Sequence, residues 1–429
     1  MYWIFKQWPA LAAWLLSSIV LSGANAAPAL SPPAATAPGP ALSALVRETL
    51  DENPGVQAAR AAADAAAARE RAASQPLYNP ELALEAERAE TATATLGLDQ
   101  TIDWADKRGA RSGVAANELT GRRAALDVTR QTLAGELLSA LGRFHTARAL
   151  QDLAGRRAAL MDRFLELAEK RRRAGDLNQV ELDLARLAAT QARLQQAQSA
   201  ADTAEAAQAL AAVVGADRPD WPGLPEDLPA VEGVDAEAIL TALPALRAQQ
   251  ARVAAARSTI TLRTRERRPD PTVGLRAGQE RGFRGNNDDS YGVVGLTLSV
   301  PLFVRNTFKA EVDAANAELI QAQREGQDLY RRARSQLLSA AERYRLARDA
   351  WTIWERTGAP SIESQVALLE RIWRAGELST ADYLVQLNQT LDTRAEALSV
   401  RGRLWGAWFD WLVASARIDD WLGLGRATR

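Results

Sequence analysis

The amino-acid sequence predicts a mainly α fold with a small β portion, in which long antiparallel coiled-coil helical hairpins and four β-strands are laid out as a tandem duplication. Three observations carry this. First, Arg173-Ala174-Gly175-Asp176-Leu177 returns as Arg374-Ala375-Gly376-Glu377-Leu378, an offset of 201 positions. Second, Lys107 to Ala174 and Phe308 to Ala375 both read as uninterrupted helix, each about 100 Å long at 1.5 Å per residue. Third, short segments ahead of each long stretch switch to a period of two, the signature of a half-covered strand.

The chain has 429 residues and is rich in Ala, Leu, Arg, Glu and Gln, all strong helix formers. Its 52 basic and 53 acidic side chains nearly cancel, which leaves no basic footprint for nucleic acid. Cysteine is absent, His145 is the single histidine and there are two methionines, so a soft-metal site has no ligands to draw on. No nucleophile–base pair, metal cluster or phosphate loop stands out, so neither an enzyme nor a cofactor is expected. His145 lies in a helical run, where a structural role is expected.

Taken in order, Lys6 precedes an apolar run from Leu11 to Leu21, and Ala24-Asn25-Ala26 follows as a small-residue cleavage signature. Residues 1–26 read as a signal peptide, and no Cys follows to take a lipid anchor. Residues 27–40 form a Pro/Ala-rich lead-in. The first repeat spans 41–217, a Pro-rich linker spans 218–234, the second repeat spans 235–420 and a tail spans 421–429. Further correspondences lie in register. Asn53-Pro54-Gly55-Val56 matches Leu243-Pro244-Ala245-Leu246, and Tyr78-Asn79-Pro80 matches Pro269-Asp270-Pro271. Ala115-Ala116-Asn117-Glu118-Leu119 matches Ala315-Asn316-Ala317-Glu318-Leu319.

Each repeat opens with a helix (Ala41 to Ser74; Ala236 to Arg267) ended by a proline break. Its long helix then carries coiled-coil spacing: Leu126, Leu133, Leu137, Leu141 and Phe144 in the first, Leu337, Tyr344 and Trp351 in the second. The returning arms answer with Val180, Leu187 and Leu194, and with Leu384, Leu387, Leu391 and Leu398. The Arg-Ala-Gly turn stands at the tip of each hairpin, where Gly175 and Gly376 permit the reversal.

Between the helices, Leu82, Leu84 and Ala86 alternate with Glu81, Glu85 and Glu87. Leu96, Leu98, Ile102 and Trp104 alternate with Thr95, Asp99, Thr101 and Asp103. The second repeat does the same with Val273, Leu275 and Ala277, and with Val294, Leu296, Leu298, Val300 and Leu302. Strands of about ten residues, apolar on one face and polar on the other, suit a transmembrane barrel with lipid outside and water inside. Tyr78, Trp104 and Phe303 at the strand ends suit a membrane-interface aromatic belt. The loops Ala89 to Ala94 and Glu280 to Ser290 would face outside. Four strands cannot close, and open edges are not tolerated in lipid, so the chain must oligomerise; three copies would supply twelve strands.

On these residues the chain resembles the TolC-like outer-membrane efflux proteins over nearly its whole mature length. Leu98-Asp99-Gln100-Thr101-Ile102-Asp103-Trp104-Ala105-Asp106-Lys107-Arg108-Gly109-Ala110-Arg111 and Val300-Pro301-Leu302-Phe303-Val304-Arg305-Asn306 are similar to stretches of the heavy-metal (CzcC-type) branch. Trp104-Ala105-Asp106 stands where glycines are usual, and Val300 replaces a proline. The resemblance implies a homotrimer in the Gram-negative outer membrane, a twelve-stranded barrel above a periplasmic α-helical tunnel. It implies a passive exit duct, gated at its periplasmic tip, that meets a periplasmic adaptor and an inner-membrane resistance-nodulation-division (RND) transporter and exports heavy-metal cations. The outer component of a type I secretion or multidrug efflux system shares this architecture and is the alternative. By position the resemblance assigns adaptor contact to Arg173, Ala174, Gly175 and Leu177, and to Arg374, Ala375, Gly376 and Leu378. Asp382 and its counterpart Glu181 fall at the expected pore constriction.

Overall fold

The computed structural model describes residues 38–425 apart from 90, 232 and 283–289. The expected signal peptide, most of the lead-in and the last four residues of the tail lie outside the described residues.

The opening helix of each repeat is in fact two helices. In the first, α1 (Pro40–Glu52) and α2 (Pro54–Ser74) meet at Asn53, whose side chain accepts the Gly55 and Val56 amides. In the second, α5 (Ala236–Ala242) and α6 (Pro244–Glu266) meet at Leu243. The cause is the same: the residue before a proline is driven out of the helical region, and Pro54 and Pro244 start a new helix where no amide is needed.

Four strands follow the helices in two pairs: β1 (Glu81–Arg88) with β2 (Thr91–Thr101), then β3 (Thr272–Gly282) with β4 (Ser290–Ser299). They form one antiparallel sheet in sequence order, so β1 and β4 are its open edges. Several strand limits differ from expectation. The Thr-Ala repeat at 91–94, expected as loop, is the start of β2, and its residues 92–94 pair with Ala86 to Arg88. Trp104 lies beyond the end of β2, its amide bonded to the Ile102 carbonyl at 3.0 Å. β4 stops at Ser299 because Pro301 has no donor for a ladder. Glu280 to Gly282 and Ser290, expected as part of the second loop, belong to β3 and β4, with Glu280 paired to Tyr291 and Arg281 to Ser290, and residues 283–289 of that loop lie outside the described residues.

The first long helix, α3 (Lys107–Ala174, 68 residues), has the expected limits. It returns as α4 (Gln179–Val214). The second copy differs. Its long helix is α7 (Lys309–Ile353), a π-helical turn (Trp354–Gly358) and α8 (Ala359–Arg374), returning as α9 (Thr380–Ser415). Pro360 cannot donate, and its ring would meet a carbonyl one turn back, so the ladder is re-registered upstream. Trp354 lies flat over Gly358, where an added Cβ would come within 2.3 Å of the indole.

Two apolar cores hold the helices. The larger joins Leu42, Val46 and Leu50 of α1, Leu137, Leu138 and Leu141 of α3, Leu337 and Tyr344 of α7, and Trp408, Phe409 and Leu412 of α9. The smaller lies toward the tips and joins Met161 and Phe164 of α3, Ala185 and Ala189 of α4, Trp373 of α8, and Tyr383 and Leu387 of α9. The expected seam of the first returning arm requires correction. Val180, Leu187 and Leu194 are exposed, and α4 buries Leu182, Ala185, Ala189 and Ala192 instead. Small side chains face α3 because the two helices approach closely, which turns the bulky stripe outward.

The linker is strapped to the larger core. His145 Nε2 lies 2.8 Å from the Pro222 carbonyl, Trp405 donates to the Pro225 carbonyl at 3.2 Å and Tyr344 to that of Pro229 at 2.5 Å. Burial holds the His145 pKa below its ordinary 6.5, with the Arg148 charge adding to the effect and the Pro222 carbonyl opposing it. Residues 421–425 are not a loose tail. α10 (Ile418–Leu422) folds back, with Trp421 against Trp408 and Phe409 and the Leu422 carbonyl accepting from Ser43.

Candidate functional site

The sheet sorts its side chains cleanly. The register places Leu82, Leu98, Leu275 and Leu296 in one row across all four strands, and Leu84, Leu96, Ala277 and Val294 in the next. These rows share one face, and their large members are exposed, Leu84 to 79%. Leaving that many leucines in water would forfeit roughly 1.5 kcal/mol or more apiece, so this face calls for an apolar surround. The opposite face carries Glu81, Glu85, Glu87, Asp99 and Glu280 against Arg276. Arg276 crosses the bare backbone of Gly97 to reach Glu85 at 2.8 Å, with its Cγ 3.0 Å from where a Cβ on Gly97 would stand.

Each joint between sheet and long helix holds a residue at positive φ, Asp106 (54°) in the first copy and Phe308 (53°) in the second. Asp106 caps α3 by accepting the Gly109 amide, and Arg265 grips its carboxylate at 2.6 Å. Phe308 stacks edge-on to Phe303 at 4.9 Å, and its amide donates to Asn306 at 2.9 Å. Beside the first joint Asp270 is buried, accepting from Lys107 at 2.8 Å and from the Tyr78 hydroxyl at 2.7 Å. Among the expected interface aromatics, Tyr78 therefore bonds across the two copies and Phe303 packs on its own joint, while Trp104 stands 65% exposed.

At the tips, Gly175 (φ 89°) and Gly376 (φ 80°) both take the left-handed conformation. The Asp176 amide closes onto the Arg171 carbonyl at 2.9 Å, and the Glu377 amide onto that of Ile372 at 3.2 Å. Arg173, Ala174 and Gly175 are exposed, as are Arg374, Ala375 and Gly376; Arg374 pairs with Glu370. Leu177 corrects the expectation of an outward contact. It is only 5% exposed and packs into the hairpin's own core, the apolar seal that accompanies such a turn, and Leu378 is half-buried in the same way.

Glu181 and Asp382 occupy the same place in the two copies, the third residue of the returning helix. Glu181 closes a capping box with Asn178, and Asp382 accepts the Ser379 hydroxyl at 2.7 Å while its amide donates back at 3.1 Å. Both carboxylates thus have a local role as helix starts. Above them, Phe164, Trp373 and Tyr383 form an aromatic trio with ring centroids 4.6 to 5.2 Å apart. Burial pushes the Tyr383 hydroxyl up to about 12. Arg157, nearly buried on α3, reaches across to Asp392 and Asn388 of α9, both at 2.8 Å. The sequence reading missed Arg157; its signal would have been an arginine inside an otherwise apolar stripe. A cleft of about 580 Å³ where α3, α4 and α9 meet is lined largely by small residues such as Gly142, Ser399, Gly402 and Gly406 and gathers no reactive constellation. Among the described residues, no group of three or more acidic, His or Cys side chains could hold a metal.

The model of the outer membrane efflux protein family matches the chain twice, over residues 45–216 and 237–408. The chain belongs to that family. The two matched stretches fall within the ranges 41–217 and 235–420. The fold is shared with solved structures of low identity. A membrane protein from Pseudomonas aeruginosa is 18% identical, with a TM-score of 0.72 over 87% of this chain and 93% of that one. The outer membrane protein VceC from Vibrio cholerae is 18% identical, with a TM-score of 0.71 over 87% and 95%. The open-state MtrE outer membrane channel of Neisseria gonorrhoeae is 17% identical, with a TM-score of 0.70 over 89% and 90%. No curated protein matches. Members of the family are homotrimeric channels of the Gram-negative outer membrane, not enzymes, and work with periplasmic adaptors and inner-membrane transporters.

Proposed function

We propose that three copies of this chain form the outer-membrane exit duct of an RND-type efflux pump whose cargo is heavy-metal cations. The observation that carries the reading is the sheet, whose leucine face is exposed, whose two edges are open and whose polar face is acidic. Pairing β4 of one copy with β1 of the next would remove both edges and close twelve strands. The exposed Val180, Leu187 and Leu194 stripe offers a further face for a neighbouring subunit. Inside such a barrel each chain would place five carboxylates against one guanidinium, a lining that favours cations. The acidic lining and the resemblance of the 98–111 and 300–306 stretches favour metal cations over drugs or proteins.

In this reading the exposed residues Arg173, Ala174, Gly175, Arg374, Ala375 and Gly376 meet the adaptor, Leu177 and Leu378 hold the turns beneath them, and Asp382 with Glu181 narrows the mouth. Tyr78, Trp104 and Phe303 sit at the level of the inner membrane–water boundary of the barrel. The test is conductance of the purified full-length protein in planar bilayers, together with metal tolerance of a host lacking its own duct. Cation-selective trimeric channels and restored tolerance to divalent metals are expected. Tolerance restored to drugs alone would transfer the cargo to the multidrug alternative. Asp382→Ala should weaken block by multivalent cations, and unchanged block would remove the constriction.

A further inference from the structure

The duplication specifies what the open edges of the sheet meet. With Tyr78-Asn79-Pro80 matched to Pro269-Asp270-Pro271, Glu81 corresponds to Thr272 and Glu85 to Arg276. Glu81 pairs with Asp99 and Thr272 with Ser299, so the same alignment carries Asp99 onto Ser299 and Gly97 onto Thr297. The contact of β2 with β3 is then a template, inside one chain, for the contact of β4 with β1 of a second copy. Transferred to that seam, Gly97 against Arg276 becomes Thr297 against Glu85 of the partner subunit. Leu98 against Leu275 becomes Leu298 against Leu84 of the partner subunit, which keeps the leucine face continuous. The threefold assembly of the family supplies the second copy.

One pair of equivalent positions carries opposite charges. Arg276 bonds to Glu85 of its own chain across the bare backbone of Gly97. On its other side in the same row stands Gly295, where an added Cβ would meet nothing within 4 Å. Arg276 therefore has glycine on both flanks, and its long arm has room across either. Its Nε finds no acceptor among the described residues, so the bond to Glu85 leaves donor capacity unused. Within the chain, Glu85 lies two strands across from Arg276 and two residues along. In the transferred pairing Glu85 of the partner subunit lies equally far on the other side, about 10 Å across the strands. Had both copies kept one sign here, closure would gather six like charges at one level, an unfavourable arrangement.

We infer that in the closed barrel Arg276 stands between Glu85 of its own chain and Glu85 of the partner subunit, so that three arginines and three glutamates alternate around the inner wall and fix the register of the seam. The inference rests on the barrel reading proposed above. A slip of two residues is the smallest that keeps the leucines outside, and it places Arg276 unequally between its two carboxylates.

The experiment uses the full-length protein, which has no cysteine of its own, so only introduced thiols react. Leu298→Cys with Leu84→Cys is treated with a short membrane-permeant thiol cross-linker, and products are read on denaturing gels. Within one chain β1 and β4 are three strands apart, about 14 Å, so a short bridge forms only between chains. Linked dimers and trimers are expected. Leu298→Cys with Leu82→Cys, or with Ala86→Cys, reports a slip in either direction, and stronger linkage there overturns the belt. Arg276→Glu should lower the temperature at which the trimer dissociates and spread linkage over the three positions. Exchange of both charges, Glu85→Arg with Arg276→Glu, should restore the dissociation temperature and the single linkage. Unchanged linkage in Arg276→Glu, or no recovery in the exchange, overturns the belt. If Arg276→Glu fails to assemble, Arg276→Gln removes the charge alone, and linkage still confined to Leu84→Cys overturns the belt. Trimer formation and conductance are read in parallel. A protein that stays monomeric overturns the duct reading and the belt with it, whereas conducting trimers linked at another register overturn the belt alone.

Discussion

The two copies share a plan but differ midway along their long helices. In the first, α3 passes unbroken from sheet to tip. In the second, the corresponding level is the π-helical turn at Trp354–Gly358, between the larger core at Tyr344 and the smaller one at Leu369 and Trp373. The first copy has Arg157 at the level of Gly358, bonded across to α9. One copy is therefore a continuous strut, and the other is jointed and tied to that strut. The hairpins share one plan, and the Gly358-Ala359-Pro360 step with its π-helical turn makes them unequal.

That comparison can be broken in graded ways. Trp373→Ala removes the centre of the aromatic trio that binds α8 and α9 to α3. It should cost about 3–5 kcal/mol in denaturant unfolding, with protease cleavage appearing first near the second tip. Arg157→Ala should cost about 2 kcal/mol, because Asn388 and Asp392 lose their bonds to the guanidinium and α9 loses its tie to α3. Asp392→Asn should cost less, since that carboxylate is largely exposed. Gly358→Ala should displace the Trp354 indole and cost about 1–2 kcal/mol. Its signature is faster hydrogen exchange across 354–358 with α3 unchanged, and equal change in both helices would contradict the asymmetry. Gly175→Ala and Gly376→Ala should each cost about 1 kcal/mol, since both demand a left-handed residue; here the copies should agree. The smallest effect is pH dependence from His145. Its folded-state pKa lies below 6.5, so the unfolded chain takes up the proton first. Stability is full above about pH 6.5 and falls as pH drops toward the folded value. His145→Gln should flatten that slope in thermal unfolding.

Much of this was legible in the residues. The limits of α3, the returning turns and the two-faced strands follow from period and glycine placement, signals that local sequence carries strongly. Asn53-Pro54 and Leu243-Pro244 were read as markers of duplication, yet each also starts a new helix, a consequence of proline sterics that a smooth apolar periodicity conceals. The outward turn of Val180, Leu187 and Leu194 was not legible. Heptad spacing identifies a stripe but not which neighbour it meets, and close approach to α3 selected alanines over leucines. Leu177 looked like a contact for a partner, and the turn's own seal claimed it. For Glu181 and Asp382 the sequence placed both at matching positions, and the structure adds the local bonds that a role at the mouth would have to break.

The joints at Asp106 and Phe308 reproduce one strained backbone by unlike means. The first is held by a carboxylate gripped by Arg265, the second by a ring stacked on Phe303. The exposed Arg265–Asp106 pair is the kind of contact that salt screens, whereas the ring contact at the second joint is not. Around the proposed ring of three chains, six joints of similar backbone would alternate between an ion pair and a ring contact.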